Sequence, residues 1–342
     1  MLKIRVIAAI VFVILSVSGS ALATQPEVDG DIRIRIQNRS GDTTSLTKGT
    51  FTITRIRLNA DFPVDEKISI YGRLAIDQAA GKDHNNGLYD TDGALDRWGI
   101  NWKFKNGVMK LGRQDVVLGQ EGLVLTTLID AVGENNQMTG VTTTWKEKNT
   151  SFKLVGGRLG EGLFQPLPKV KTNLYALQID HQVDRRLSVG ATYRQIATID
   201  QHSSRMAKIY LPQKTDVLTT YSLLASYYLD SKTKVYTEFG YSSADQHNGC
   251  LGLGVGHMMD KKNSYSINYF KQGKNSGLFG NWGAPDFTTT EPNTSNTSWA
   301  GYALYYRHQM DSKTMLEVSD YYEQGNENNG ANQFRVTLMS KF

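Results

Sequence analysis

Apolar and polar residues alternate strictly at both ends of this chain. Ile32, Ile34 and Ile36 interleave with Asp31, Arg33, Arg35 and Gln37, and Ile56, Leu58, Ala60 and Phe62 interleave with Arg55, Arg57, Asn59 and Asp61. Ile68, Ile70, Gly72, Leu74 and Ile76 alternate with Ser69, Tyr71, Arg73 and Asp77. The chain closes on Phe334, Val336, Leu338, Ser340 and Phe342 set against Arg335, Thr337, Met339 and Lys341. A strand's side chains point to opposite faces with period two, so each segment predicts a strand with one greasy face and one charged face.

Between these ends the pattern reads as a meander of about sixteen strands, roughly 20 residues for each strand and its connection. Short turns fall near 63–66, 105–107, 147–149, 183–186, 230–232, 260–263 and 311–313. Longer connections fall near 40–49, 79–93, 115–139, 159–170, 199–216, 244–249, 273–296 and 324–331. Seven short turns and eight long loops, with both termini on the short-turn side, are what an up-and-down barrel of sixteen strands requires. A barrel of that width is too wide for side chains to fill, so the charged face belongs to a watery interior and the apolar face to lipid. Phe62, Trp102, Phe104, Trp145, Tyr227, Tyr228 and Phe342 stand near turn-side strand ends, where an aromatic girdle belongs. The competing architecture, a secreted soluble β-sandwich, would have to find a core among these charged faces.

The N-terminus reads as an export signal. Lys3 and Arg5 precede an apolar run from Val6 to Val17, and Ala21-Leu22-Ala23 is a small-x-small cleavage site, so cleavage before Thr24 is expected. The run is shorter than the ~20 residues of a spanning helix. Residues 24–342 then form the barrel. Setting Lys3 and Arg5 aside leaves 36 basic residues against 33 acidic ones, a balance that argues against nucleic acid as a partner. The single cysteine, Cys250, excludes an intramolecular disulfide framework.

The connection from Asp115 to Thr139 differs from the others. It carries Val116, Val117, Leu118, Leu123, Val124, Leu125, Leu128, Ile129 and Val132, interrupted by Asp115, Glu121, Asp130 and Glu134. A segment this apolar must pack against something. The expectation is that it folds into the barrel mouth, lays its apolar residues on the wall and holds its carboxylates in the lumen. By contrast, 273–296 is Asn, Thr, Gly and Pro almost throughout and suits water.

Arg33, Arg35, Arg55, Arg57, Arg73, Arg97 and Arg113 are expected on the inward face of the first five strands, along one arc of wall. Glu121, Asp130 and Glu134 would face them from the loop, giving a field across the pore that favours small polar solutes. The plainer alternative is that the arginines only solvate the lumen and pair with Asp61, Asp77 and each other. Strict alternation from Met109 and Leu111 sends Arg113 outward unless Gly112 marks a bulge.

Other chemistry is weak. The six histidines, His84, His181, His202, His247, His257 and His308, form no motif, so no enzyme, cofactor or metal site is expected. Gly252, Gly254 and Gly256 alternate with Leu251, Leu253 and Val255 and suggest a flat stretch of inner wall, and Cys250 reads as a small wall residue.

The export signal, the sixteen-strand meander, the alternating last strand ending on Phe342, Gly112-Arg113 at the end of the fifth strand and the long loop after it resemble the general porins of Gram-negative outer membranes. The resemblance spans the whole mature chain as architecture. It implies an all-β transmembrane up-and-down antiparallel barrel whose third long loop folds inward, with Phe342 part of the signal read by the barrel-assembly machinery. It also implies an outer-membrane location among lipid and lipopolysaccharide, and trimers are common in that family. The loop departs from the family's acidic tip signature, and there is no N-terminal surface-layer-like domain, which disfavours a wall-anchoring role. The function expected is passive diffusion of small hydrophilic solutes and ions. The alternatives are a selective channel for anions such as phosphate or dicarboxylates, or for sugars, and a structural or adhesive surface barrel with a plugged lumen.

Overall fold

A computed structural model of the chain describes residues 25–41, 49–81, 92–119, 125–126, 137–159, 172–198, 217–246, 248–273, 276, 298–325 and 330–342. The expected export signal, 1–23, lies outside the described residues. The strands are β1 (Glu27–Gly41), β2 (Gly49–Pro63), β3 (Ile68–Gly81), β4 (Asp92–Phe104), β5 (Gly107–Gln114), β6 (Val117–Leu118), β7 (Leu125–Thr126), β8 (Met138–Glu147), β9 (Thr150–Leu159), β10 (Thr172–Gln182), β11 (Leu187–Thr198), β12 (Val217–Tyr228), β13 (Thr233–Ser242), β14 (Gly249–Met258), β15 (Asn263–Gln272), β16 (Trp299–Gln309), β17 (Thr314–Gly325) and β18 (Gly330–Lys341). β6 and β7 pair only with each other. The other sixteen pair antiparallel with their sequence neighbours, and β18 returns to β1, closing a barrel.

Closure runs the length of β1 against β18, from Asp31 opposite Lys341 to Gly41 opposite Ala331. Arg35 lies opposite Thr337, and Gly30 and Phe342 exchange backbone hydrogen bonds of 3.2 and 3.1 Å. Gly30 is needed here because a Cβ would run into the Phe342 ring.

The two faces invert the burial habit of a soluble protein. Ile34 and Ile36 on β1 are 44% and 51% exposed, while Arg33 and Arg35 between them are 3% and 6% exposed. A closed sheet that turns its isoleucines outward and its arginines inward suits hydrocarbon outside and polar surroundings within. It also disposes of the sandwich, because among the described residues no second sheet covers the apolar face.

The seven turns stand at 64–67, 105–106, 148–149, 183–186, 229–232, 259–262 and 310–313, the places the turn residues indicated. Five share one device. In Val64-Asp65-Glu66-Lys67, Val183-Asp184-Arg185-Arg186, Leu229-Asp230-Ser231-Lys232, Met259-Asp260-Lys261-Lys262 and Met310-Asp311-Ser312-Lys313, the aspartate accepts the backbone amides two and three residues on. For Asp230 these bonds are 2.6 and 2.8 Å long, from Lys232 and Thr233. This is the Asx arrangement that makes aspartate a turn residue. The carbonyl of the basic residue then accepts an amide from a following strand, as in Tyr228 N to Arg186 O at 3.0 Å and Met258 N to Lys232 O at 3.0 Å.

Amide donors hold the carboxyls of Asp184, Asp230 and Asp311 below the usual range, and the Asn263 side chain, followed by amides, does so for Asp260. A depressed carboxylate stabilises the fold fully above its unfolded value near 3.8 and loses that contribution as pH falls through the lower folded value. Replacing all four by asparagine is therefore expected to lower the urea midpoint at pH 6, and the gap to the wild type should narrow at about pH 2.5. A gap that stays constant with pH would rule out the carboxylate charge as its source.

Two expectations are corrected. Tyr227 and Tyr228 cannot both join an outer girdle: period two puts Tyr227 outside and Tyr228 inside, opposite Lys234, whose Nζ lies 6.0 Å from the Tyr228 ring centre. The long connection ends at 137 rather than 139, because Met138 and Thr139 pair with Gln114 and Arg113 as the start of β8.

Candidate pore lining

The register of the first five strands sets like charges side by side. Arg33 is opposite Arg55, and Arg73 is opposite Arg97. Cations so close repel, and carboxylates on the same wall offset them. Asp31 Oδ1 lies 3.1 Å from Arg55 Nη2, and Asp96 takes Arg73 through both Nε, at 2.6 Å, and Nη2. Asp115 pairs with Arg97 and lies 3.7 Å from Arg73 Nη1. Arg35 Nε donates to Thr337 Oγ1 at 3.1 Å, tying β1 to β18. Arg57 shares this inward face of β2, two residues beyond Arg55.

Two backbone irregularities shape the group. The β3–β4 register shifts between Arg73 and Leu74, so Leu95 takes the place alternation would give Asp96, and Asp96 and Arg97 both serve the inner wall. On β5 the pairing runs unbroken through Gly112, opposite Gly99 and Gly140, but Gly112 has φ of +128°. Arg113 is 2% exposed instead of facing lipid and donates Nε to the Asp96 carbonyl at 3.0 Å. A left-handed glycine, not a register bulge, redirects it.

Asp115 is where the long connection leaves the wall. Gln137 Nε2, at the far end of the connection, donates to Asp115 Oδ1 at 3.3 Å. Val116 and Leu118 are buried with Leu159, Leu174, Ile196 and Leu218, inward residues at the long-loop ends of β9 to β12. The Gly119 amide donates to Gln178 Oε1 at 2.9 Å, and Lys153 Nζ to the Val117 carbonyl at 3.0 Å. The first residues of the connection thus run along the inner wall. Glu121, Asp130 and Glu134 lie outside the described residues.

Elsewhere the inner wall holds further polar contacts. Arg194 Nη2 donates to Thr220 Oγ1 at 2.8 Å, Ser222 to Glu238 at 2.6 Å, and Arg335 Nη2 to Gln333 at 2.9 Å with its guanidinium 4.7 Å from the Tyr321 ring centre. The glycine stretch of β14 is not flat: the space over Gly254 is taken by Tyr236, whose hydroxyl donates to Asn268 Oδ1 at 2.7 Å. This is an aromatic laid across a glycine on the neighbouring strand. Cys250 is buried in the apolar cluster. His181, His257 and His308 sit near the turn-side rim, within hydrogen-bond distance of Thr150, Thr233 and Asn263. His84, His202 and His247 lie outside the described residues.

No family model and no curated protein matches this sequence. Among solved structures the chain is similar to a mutant of Rh. blastica porin, at 12% identity and a TM-score of 0.56 over 93% of this chain and 100% of that one. A triple mutant of Rhodopseudomonas blastica porin matches at 11% identity with the same TM-score of 0.56 and the same coverage, 93% and 100%. The likeness is one of fold: a sixteen-stranded antiparallel barrel of porin type.

Proposed function

We propose that this chain forms a water-filled channel in an outer membrane through which small hydrophilic solutes and ions diffuse without energy input. One observation carries the reading: a closed sheet of sixteen strands turns its large apolar side chains outward and lines its interior with charge. Such a wall needs lipid on one side and offers polar solutes a lining on the other. The fold likeness to a protein named porin supports the same conclusion.

In the finer reading, Arg33, Arg35, Arg55, Arg57, Arg73, Arg97 and Arg113 form the basic side of a constriction, and Glu121, Asp130 and Glu134 form its acidic side. Opposed charges there would order water and favour solutes with dipoles. Phe342, at the barrel seam, would serve the assembly machinery, and residues 1–23 would be removed on export. Lipopolysaccharide around the outer rim and a homotrimer belong to the same proposal. An enzymatic role forms no part of it. A second reading, an anion-selective channel, is favoured by the excess of arginine over carboxylate among the described inward residues of β1 to β5.

Single-channel recording of refolded protein in a planar bilayer tests the proposal. Stable open currents are expected, saturating with a specific anion only if the second reading holds. A correctly folded barrel that inserts and carries no current would mean a plugged lumen and a structural role.

A further inference from the structure

The outer wall between β11 and β15 has a hollow. Two outward rows cross it in register: Val189, Ala225, Thr237, Leu253 and Tyr269, and, nearer the turns, Leu187, Tyr227, Val235, Val255 and Ile267. The small residues Ala225 and Thr237 are neighbours at its floor, and the Thr237 hydroxyl is spent on the Gly252 carbonyl at 3.0 Å. Leu223 and Phe239, paired in the next row away from the turns, are 67% and 56% exposed. The depression measures about 500 Å3 and is lined almost wholly by apolar atoms.

At the open end stand cations. Arg186 immediately precedes Leu187, and Lys232 lies three residues before Val235, roughly 10 Å along a strand that rises ~3.4 Å per residue. The Tyr228 amide, bonded to the Arg186 carbonyl at 3.0 Å, brings the two turns alongside each other. The acidic partners in these turns, Asp184 and Asp230, are turned onto backbone amides, and Lys232 Nζ spends one of its three donors on the Met259 carbonyl at 3.2 Å. Exposed Val183 and Leu229 flank them at the same rim.

We infer that this hollow is a binding site for one anionic glycerophospholipid of the leaflet on the turn side. An acyl chain lies in the hollow over Ala225 and Thr237, and the phosphodiester sits between Arg186 and Lys232. The inference rests on the membrane reading above. A second copy of the chain fits less well, because it would bring a like cationic rim against this one, whereas an acyl chain with a phosphate matches both the apolar trough and the charge at its mouth.

Native mass spectrometry of the refolded barrel, offered equimolar phosphatidylglycerol and phosphatidylcholine in micelles, counts the bound lipid. Retention of one phosphatidylglycerol in preference to phosphatidylcholine is expected. Removing a lysine or arginine near an anionic headgroup weakens attraction about fivefold, so the Arg186→Gln/Lys232→Gln double variant should lose about 25-fold of that preference. Ala225→Phe should fill the hollow and reduce retention of both lipids, and Lys67→Gln, on a turn between β2 and β3, should change neither. Equal retention of the two lipids by the wild type, an unshifted double variant, unimpaired binding by Ala225→Phe, or an oligomer that buries the hollow and carries no lipid would each overturn the site. The same preparation is recorded in a bilayer. A conducting barrel without the lipid preference overturns this site alone, whereas a barrel that fails to insert overturns the membrane reading and the site with it.

Discussion

Replacing Arg33, Arg35, Arg55 and Arg57 together by serine is expected to move the channel's ion preference toward cations. The four side chains come from the inward faces of β1 and β2, and Arg33 and Arg55 stand directly opposite each other. A unit charge at ~10 Å in water acts on a passing ion with about 0.4 kcal/mol, so four act with roughly 1.7 kcal/mol before screening, enough for a change in permeability ratio of about tenfold. Their loss also leaves the Asp31 carboxylate without the Arg55 guanidinium 3.1 Å away, which adds to the change in the same direction. Screening decides where to look. The Debye length is ~30 Å at 0.01 M salt and ~3 Å at 1 M, so the shift in reversal potential across a potassium chloride gradient should be large in dilute salt and nearly gone in concentrated salt. An unchanged reversal potential in dilute salt would mean that ions do not pass this arc of wall.

Alternation made the architecture legible because one repeated rule governs it. In β1 the isoleucines and arginines occupy fixed parities, and one buried face is enough to fix the register. The turns were legible because aspartate two residues before lysine or arginine recurs where the chain reverses, and each such aspartate binds the amides that the reversal exposes. The pore lining was legible only where strict alternation holds. Asp96 escaped because a register shift turns it inward beside Arg97, and the inward path of Arg113 depends on the φ of Gly112, which no side-chain pattern reports. Leu159, Leu174, Ile196 and Leu218 face inward although they are apolar. The lipid-outside rule does not account for them, whereas their burial in one cluster with Val116 and Leu118 does.

Asp115→Asn is expected to act on stability and selectivity at once, with selectivity moving opposite to the arginine variant. The carboxylate joins Arg97 and Arg73 of the wall to Gln137 at the far end of the long connection. Asparagine keeps the shape and an oxygen for Gln137 but removes the charge, leaving Asp96 to offset the two guanidiniums. Breaking one side of a fully buried pair costs about 3–5 kcal/mol. Arg97 keeps 29% of its side chain exposed, so the loss should be smaller, about 2 kcal/mol, read as a lower urea midpoint in lipid vesicles. One positive charge is thereby uncovered on the wall, and the reversal potential should move toward anions. The Arg97→Gln exchange provides the control. Made together with Asp115→Asn, it should cost less than the sum of the two separate changes, because neither charge is then left without its partner. Additive costs would mean that Asp115 and Arg97 do not act as a pair, and an unmoved reversal potential would place Asp115 away from the ion path.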